Sequence, residues 1–171
     1  MRHRGLFVTL LLAGTVVMAC SNPMDIFDLA RIPAGAEPVT TTPADSMFSH
    51  LQYSGIVSRQ RTVIRDGEDW QAMWAKMVGP EAPKPPVPDV DFSKYMIVLA
   101  AMGQKPTGGY SVAIDGVYQS KSYLYASVTE TSPGRNCVVT QALTTPVDAV
   151  LVPLSDSPIV FVEETAVQNC G

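Results

Sequence analysis

The apolar run at residues 96–102 constrains the fold of this chain more than any other feature of its sequence. A run of this length without charged residues is typical of a central β-strand that is buried on both faces. Residues 103–110 then form a turn in which Pro106 restricts φ, while Gly108 and Gly109 permit positive φ. We therefore expect a buried strand, followed by a loop of defined shape that enters the next strand at Tyr110.

Short strand-like segments with turn signals flank this loop on both sides. The chain contains 12 glycines and 14 prolines, which favours strands and turns over a helical bundle. We expect a mainly β (α+β) fold, a small antiparallel sandwich or barrel of six to seven strands. The predicted strands lie within residues 51–65, 96–102, 110–118, 123–131, 137–143, 149–152 and 159–163.

One amphipathic helix is expected to pack on this sheet. Asp66 offers an N-cap with acidic residues in the first turn, and Gly79-Pro80 ends the helix. Two tryptophans on one stripe form either the buried face of the helix or, alternatively, a ligand cage, and the buried face is the commoner arrangement. The apolar residues at helical spacing are Trp70, Met73, Trp74 and Met77.

The N-terminus resembles an export signal. A basic start is followed by an apolar run at residues 6–18, which is too short for a membrane-spanning helix. The sequence Val17-Met18-Ala19-Cys20 resembles the lipobox of bacterial lipoproteins, which implies cleavage before Cys20 and lipid attachment to it. The alternative is an ordinary signal peptide that leaves Cys20 as a free thiol. Ser21, in place of Asp, favours the outer membrane or cell surface, facing the periplasm or the exterior.

We therefore expect a lipoprotein signal peptide at residues 1–19, a flexible Pro/Thr-rich tether at 20–46 and a globular β domain at 47–171. Within the tether, residues 24–29 (Met-Asp-Ile-Phe-Asp-Leu) are the exception, with enough apolar side chains to dock on the domain or form one helical turn. Removal of the signal changes the net charge from −4 to about −6, which argues against nucleic acid as a partner. The sequence does not define an oligomeric state.

Cys137 and Cys170 are expected to form a disulfide, because export leads to an oxidising compartment. The alternative is two unpaired thiols. We expect no metal site and no cofactor, because His50 is the one histidine beyond the signal and no close cluster of ligands accompanies it. The same scarcity argues against an enzyme: a Ser-His-Asp set would need His50, and the adjacent Glu163 and Glu164 would face opposite ways on a strand.

Most of the globular part resembles the PrcB C-terminal domain family. The similar segments are residues 66–70, 91–99, 103–112, 132–134 and 139–148, with the likeness ending near Val152-Pro153. The Thr107-Gly108-Gly109-Tyr110 block is the most specific of these. The resemblance implies a non-catalytic lipoprotein subunit associated with a secreted protease, and it supplies no catalytic residues.

The loop after the buried strand is the candidate partner-binding element, with Tyr110 as a possible anchor residue because aromatic side chains are enriched in binding hot spots. The alternative is that Tyr110 points into the core. The candidate residues are Gln104, Lys105, Pro106, Thr107, Gly108, Gly109 and Tyr110.

Residues 105–110 are also similar to the Asn-Pro-Thr-Thr-Gly-Tyr loop of chagasin-like inhibitors of cysteine proteases. Lys105 replaces the Asn, and Gly108 replaces the second Thr. This likeness implies an alternative function as a direct protease inhibitor. A further alternative is an envelope scaffold protein without a protease partner.

Overall fold

The computed structural model of the chain describes residues 31–44, 54–79 and 83–171, which form two four-stranded sheets and one helix. The elements are β1 (Glu37–Val39), β2 (Thr42–Pro43), β3 (Gln60–Ile64), α1 (Gly67–Met77), β4 (Tyr95–Ala101), β5 (Ser111–Ser120), β6 (Tyr123–Pro133), β7 (Val147–Pro153) and β8 (Ile159–Gln168). Sheet A has the strand order β1-β5-β6-β8, and sheet B has the order β2-β7-β4-β3. The predicted mainly β (α+β) sandwich is thus confirmed, and neither sheet closes into a barrel.

Strand β4 lies at the centre of the fold and is buried on both faces, as its sequence predicts. Its side chains alternate between the two faces of the strand. Ile97, Leu99 and Ala101 pack in the core beneath α1. Met96, Val98 and Ala100 pack in the second core, between the two sheets. The protein therefore has three layers: α1, sheet B and sheet A.

Helix α1 begins and ends close to where its sequence predicts. The Asp66 carboxylate accepts a hydrogen bond from the amide of Asp69 at 2.9 Å, which caps the first turn. The apolar stripe of the helix is buried in the core, so it is packing surface rather than a ligand cage. Trp70 and Trp74 donate their indole hydrogens to the carbonyls of Pro88 and Pro85, at 2.9 and 3.1 Å. These bonds hold the proline-rich segment at residues 83–90 against the helix.

Residues 37–43 belong to the folded domain and not to the predicted tether at 20–46. Strand β1 pairs with β5 of sheet A, and β2 pairs with β7 of sheet B. The chain therefore crosses from one sheet to the other along one side of the sandwich. Cys20, the export signal and His50 lie outside the described residues.

Three details of the strand prediction were wrong. The described residues contain eight strands, because β1 and β2 lie in the expected tether. Strand β8 pairs with β6 in parallel, since the chain between them crosses to sheet B to form β7. Residues 137–143 form no strand. Val138 is fully exposed there, and the backbone of this segment hydrogen-bonds to the loop at residues 103–110 instead of to a strand.

Asp115-Gly116, a dipeptide that is common in turns, forms a β-bulge within β5. The register with β6 shifts between Ile114 and Gly116, and β5 continues to Ser120. In the described part of the chain, no helix combines the length and apolar character needed to cross a membrane.

Candidate functional site

The predicted contact loop, residues 103–110 (loop L1), is bonded along its length to residues 134–146 (loop L2). The backbones of Lys105 and Thr144 bond each other in both directions, with N···O distances of 2.8 and 3.1 Å. The Gly108 amide donates to the carbonyl of Thr140 at 2.9 Å. L1 and L2 therefore form one backbone-linked unit at one end of the sandwich.

Close backbone approaches explain why glycines are needed in L1. Gly103 has a φ of +70°, and a Cβ there would lie 2.7 Å from the backbone nitrogen of Arg59. A Cβ on Gly108 would clash with the side-chain hydroxyl of Thr140. L1 thus passes directly against its two neighbours, and a side chain at either glycine would push them apart.

The structure divides the predicted contact residues between the surface and the interior. Tyr110 packs partly against the core between the sheets, and the Lys105 ammonium lies 5.7 Å from its ring centre, in the range of a cation–π contact. The carbonyl of Thr107 accepts a hydrogen bond from the Thr144 hydroxyl at 2.8 Å. Gln104, Pro106 and Gly109 are exposed, Lys105, Thr107 and Tyr110 are half-buried, and Gly108 is buried.

Three exposed apolar residues beside L1 were missed by the sequence analysis. Val138 and Leu143 belong to L2, and Leu143 is 58% exposed. Val57 lies beside L1, because its carbonyl accepts a hydrogen bond from the Gln104 amide at 3.0 Å. We call this surface the loop face: Val57, Gln104, Pro106, Gly109, Val138 and Leu143. Isolated exposed apolar residues are common, but a group on linked loops is a feature of binding surfaces. The pattern of residues 137–143 resembles that of a strand and contains no local signal of this exposure.

The predicted disulfide is present and holds L2 in place. Cys137 and Cys170 are bonded, with their Cα atoms 4.9 Å apart. The Gly134 amide also donates to the carbonyl of Gln168 at 2.9 Å, so the start of L2 lies against the end of β8. The disulfide and this hydrogen bond therefore attach the start of L2 to the C-terminal residues.

One arginine in β3 and one just before it form ion pairs with two glutamates of sheet A. These ion pairs lie at the same end of the sandwich as L1. The Arg61 guanidinium bonds Glu130 at 2.6 Å and Glu163 at 2.8 Å, and only 10% of its side chain is exposed. Arg59 bonds the same two carboxylates at 2.7 and 2.8 Å but is 50% exposed. We call these four residues the charge cluster.

The contacts in the charge cluster favour the ionised forms of Glu130 and Arg61. Burial acts to raise the pKa of Glu130, but hydrogen bonds from Arg61 and Arg59 outweigh it, so this pKa lies below its usual value. Burial acts to lower the pKa of Arg61, but its hydrogen bonds with Glu163 and Glu130 outweigh burial, so this pKa lies above its usual value. Both carboxylates are used as structural acceptors, and Glu164 is exposed next to Glu163 on β8.

Among the described residues, no group of three or more His, Cys, Asp or Glu residues has an arrangement that would hold a metal ion.

Comparison with known proteins finds a family match that includes these loops. The family described as PrcB C-terminal matches residues 96–153, which run from β4 to the end of β7 and include both L1 and L2. Helix α1, which also carries part of the sequence resemblance, lies before the matched residues. No curated protein and no solved structure matches the chain. The match over residues 96–153 thus supports the resemblance to the PrcB C-terminal family in the part of the chain that carries both loops.

Proposed function

We propose that this protein is a non-catalytic, lipid-anchored subunit of the cell envelope that binds and stabilises an exported protease through the loop face. The family match supports association with a protease complex. The observation that carries the proposal is the loop face itself, because it places exposed apolar side chains on loops whose backbones are already bonded to each other. A preorganised surface loses little conformational entropy on binding.

The packing of L1 favours a docking surface over a loop that inserts into an enzyme cleft. The carbonyl of Thr107 is engaged by Thr144, and Gly108 is buried against Thr140. Tyr110 is partly in the core rather than projecting from the loop. We therefore prefer a stabilising subunit to a chagasin-like inhibitor, and the two differ in what they do to protease activity.

The anchoring part of the proposal rests on the lipobox-like sequence before Cys20. Lipid attached there would hold the domain at the outer membrane or the cell surface. We expect Cys20→Ser to release the protein from the membrane fraction and to abolish incorporation of a labelled fatty acid. Retention in the membrane together with lipid labelling of the variant would contradict this assignment.

Affinity purification of the tagged full-length protein from host membranes tests the binding surface. The test variant is Val138→Ser/Leu143→Ser, and the matched control is Val87→Ser/Leu154→Ser, which removes two apolar side chains that are 43% and 42% exposed away from the loop face. Loss of two apolar hot-spot contacts should reduce the recovered protease at least about tenfold for the test variant only.

The outcomes distinguish the surface from the function. Equal recovery of protease with both variants would contradict the loop face as the contact surface but leave the association in place. Recovery of no protease with the wild-type protein would favour an envelope scaffold. A fall in the activity of the purified protease when the wild-type protein is added back would favour inhibition.

A further inference from the structure

A cavity of about 500 Å³ lies at the end of the sandwich opposite to the loop face. Its walls are residues 31–34, the β5–β6 hairpin at residues 120–123, and Tyr125. The lining is mainly apolar and aromatic, and Lys121 is exposed at its edge. The volume falls in the range of sites that enclose a compact ligand or a short peptide segment.

The cavity borders the outer face of sheet A, where aromatic and apolar side chains lie in register. Tyr118, Tyr125 and Val160 occupy neighbouring positions on β5, β6 and β8. They point away from the core between the sheets, because Leu124 and Ala126, on either side of Tyr125, face that core. Helix α1 packs on sheet B, so no described helix lies on this outer face.

The first described residues form part of this cavity. Arg31 lines the cavity wall, so residue 30 is covalently attached to a wall residue. Phe27 is four positions away and can reach at most about 14 Å from Arg31, which is enough to enter. Residues 24–29 supply four apolar side chains and two carboxylates, Asp25 and Asp28, that suit the basic Lys121 at the edge.

We propose that residues 24–29 dock in this cavity and fix the direction in which the chain leaves the domain. Strand β5 has ten residues and spans about 33 Å, with the cavity at its Ser120 end and L1 before its Ser111 end. The docked segment therefore leaves the domain at the end remote from the loop face. If the chain is anchored at Cys20, as proposed above, this holds the loop face away from the lipid. The docking itself does not require the anchor.

Chymotrypsin cleavage after Phe27, followed by mass spectrometry on the full-length protein in dodecyl maltoside, tests the docking. Ser122→Trp places a bulky side chain at the cavity wall, and Ser111→Trp is the matched control at the far end of β5; both serines are exposed. We expect cleavage at least tenfold faster in Ser122→Trp than in the wild type or the control. Hydrogen exchange of residues 24–30 should accelerate in parallel.

Phe27→Asp provides a second variant that leaves the described domain untouched. It should speed exchange across residues 24–30 at least tenfold with no change in the exchange of β4. The proposal is overturned if the wild-type segment is cleaved and exchanges as fast as a synthetic peptide of residues 21–31. A lipid in the cavity in place of the segment would also overturn it. In that case native mass spectrometry finds a lipid bound to the protein, Ser122→Trp abolishes the binding of this lipid, and residues 24–29 show no protection from hydrogen exchange or cleavage. Neither outcome bears on whether the loop face binds a protease.

Discussion

The guanidinium of Arg61 lies 2.6 Å from the carboxylate of Glu130, and this contact joins the edge strand of sheet B to an inner strand of sheet A. On the other side of the sandwich, residues 37–43 join the two sheets through the backbone, as β1 and β2. The two open sides of the sandwich are therefore closed by different means, one by ion pairs and one by the chain itself. The ion-paired side is the one next to L1, since Arg59 lies against Gly103.

Glu130→Gln should lower the free energy of unfolding by about 1–3 kcal/mol, because it removes the charge that two arginines share. The control is Glu164→Gln, a neighbour of Glu163 that is exposed, and it should change the stability by less than about 0.5 kcal/mol. Urea unfolding of both variants at neutral pH measures the difference. Equal stability of the two variants would show that the charge cluster contributes nothing net.

The contribution of Glu130 should disappear in acid. Its pKa in the folded protein lies below the unfolded value of about 4.3, so its stabilising effect is complete above that pH and is lost as the pH falls through the folded pKa. Arg61 stays charged throughout, because its already high pKa is raised further. Urea unfolding from pH 7 to pH 3 should show the wild type and Glu130→Gln converging below about pH 4. A constant difference over this range would contradict the assignment.

Removal of the disulfide by Cys137→Ser/Cys170→Ser should cost about 3–4 kcal/mol in the chain-entropy model, because the bond closes a loop with a sequence separation of 33 residues. Thermal unfolding with and without a reducing agent measures this effect. The reductant should lower the melting temperature of the wild type and leave that of the double variant unchanged. A wild type unaffected by reduction to free thiols would contradict a stabilising role.

Gly103→Ala should destabilise the protein by about 2 kcal/mol or more, since it combines a positive φ with a Cβ 2.7 Å from the Arg59 nitrogen. Gly67→Ala is the matched control: it lies in the first turn of α1, and no atom within 4 Å would meet its Cβ. The control should be neutral or stabilising by up to about 1 kcal/mol. Circular dichroism melts compare the two, and similar losses from both would contradict the close approach at Gly103.

Local features were predictable because they depend on nearby residues. The apolar run of β4, the cap at Asp66 and the helical stripe that holds Trp70 each follow from side-chain spacing within one turn or strand. The expected positive φ is present at Gly109, whereas Gly108 does not have a positive φ and is needed instead for the close approach to Thr140. Pairing of Cys137 with Cys170 followed from composition and the expected compartment.

The arrangement of the loop face could not be predicted in the same way. Val138 lies in a segment whose pattern resembles a strand. The backbone of that segment hydrogen-bonds to L1 instead of to a neighbouring strand, and Val138 is exposed. Alternation of side chains specifies the two faces of a strand and not its partner or direction, so the parallel pairing of β8 with β6 was also missed.

The sequence by itself determined the positions of strands β3 to β8, where the helix begins and ends, and that residues 103–110 form a turn, because these depend on short-range periodicity and backbone stereochemistry. Only the tertiary structure decided that L1 bonds to L2, that residues 37–43 belong to the sheets, and that Arg59 meets Glu163 from 104 positions away. Such contacts depend on how the layers pack, and the spacing of residues along the chain carries no record of that packing.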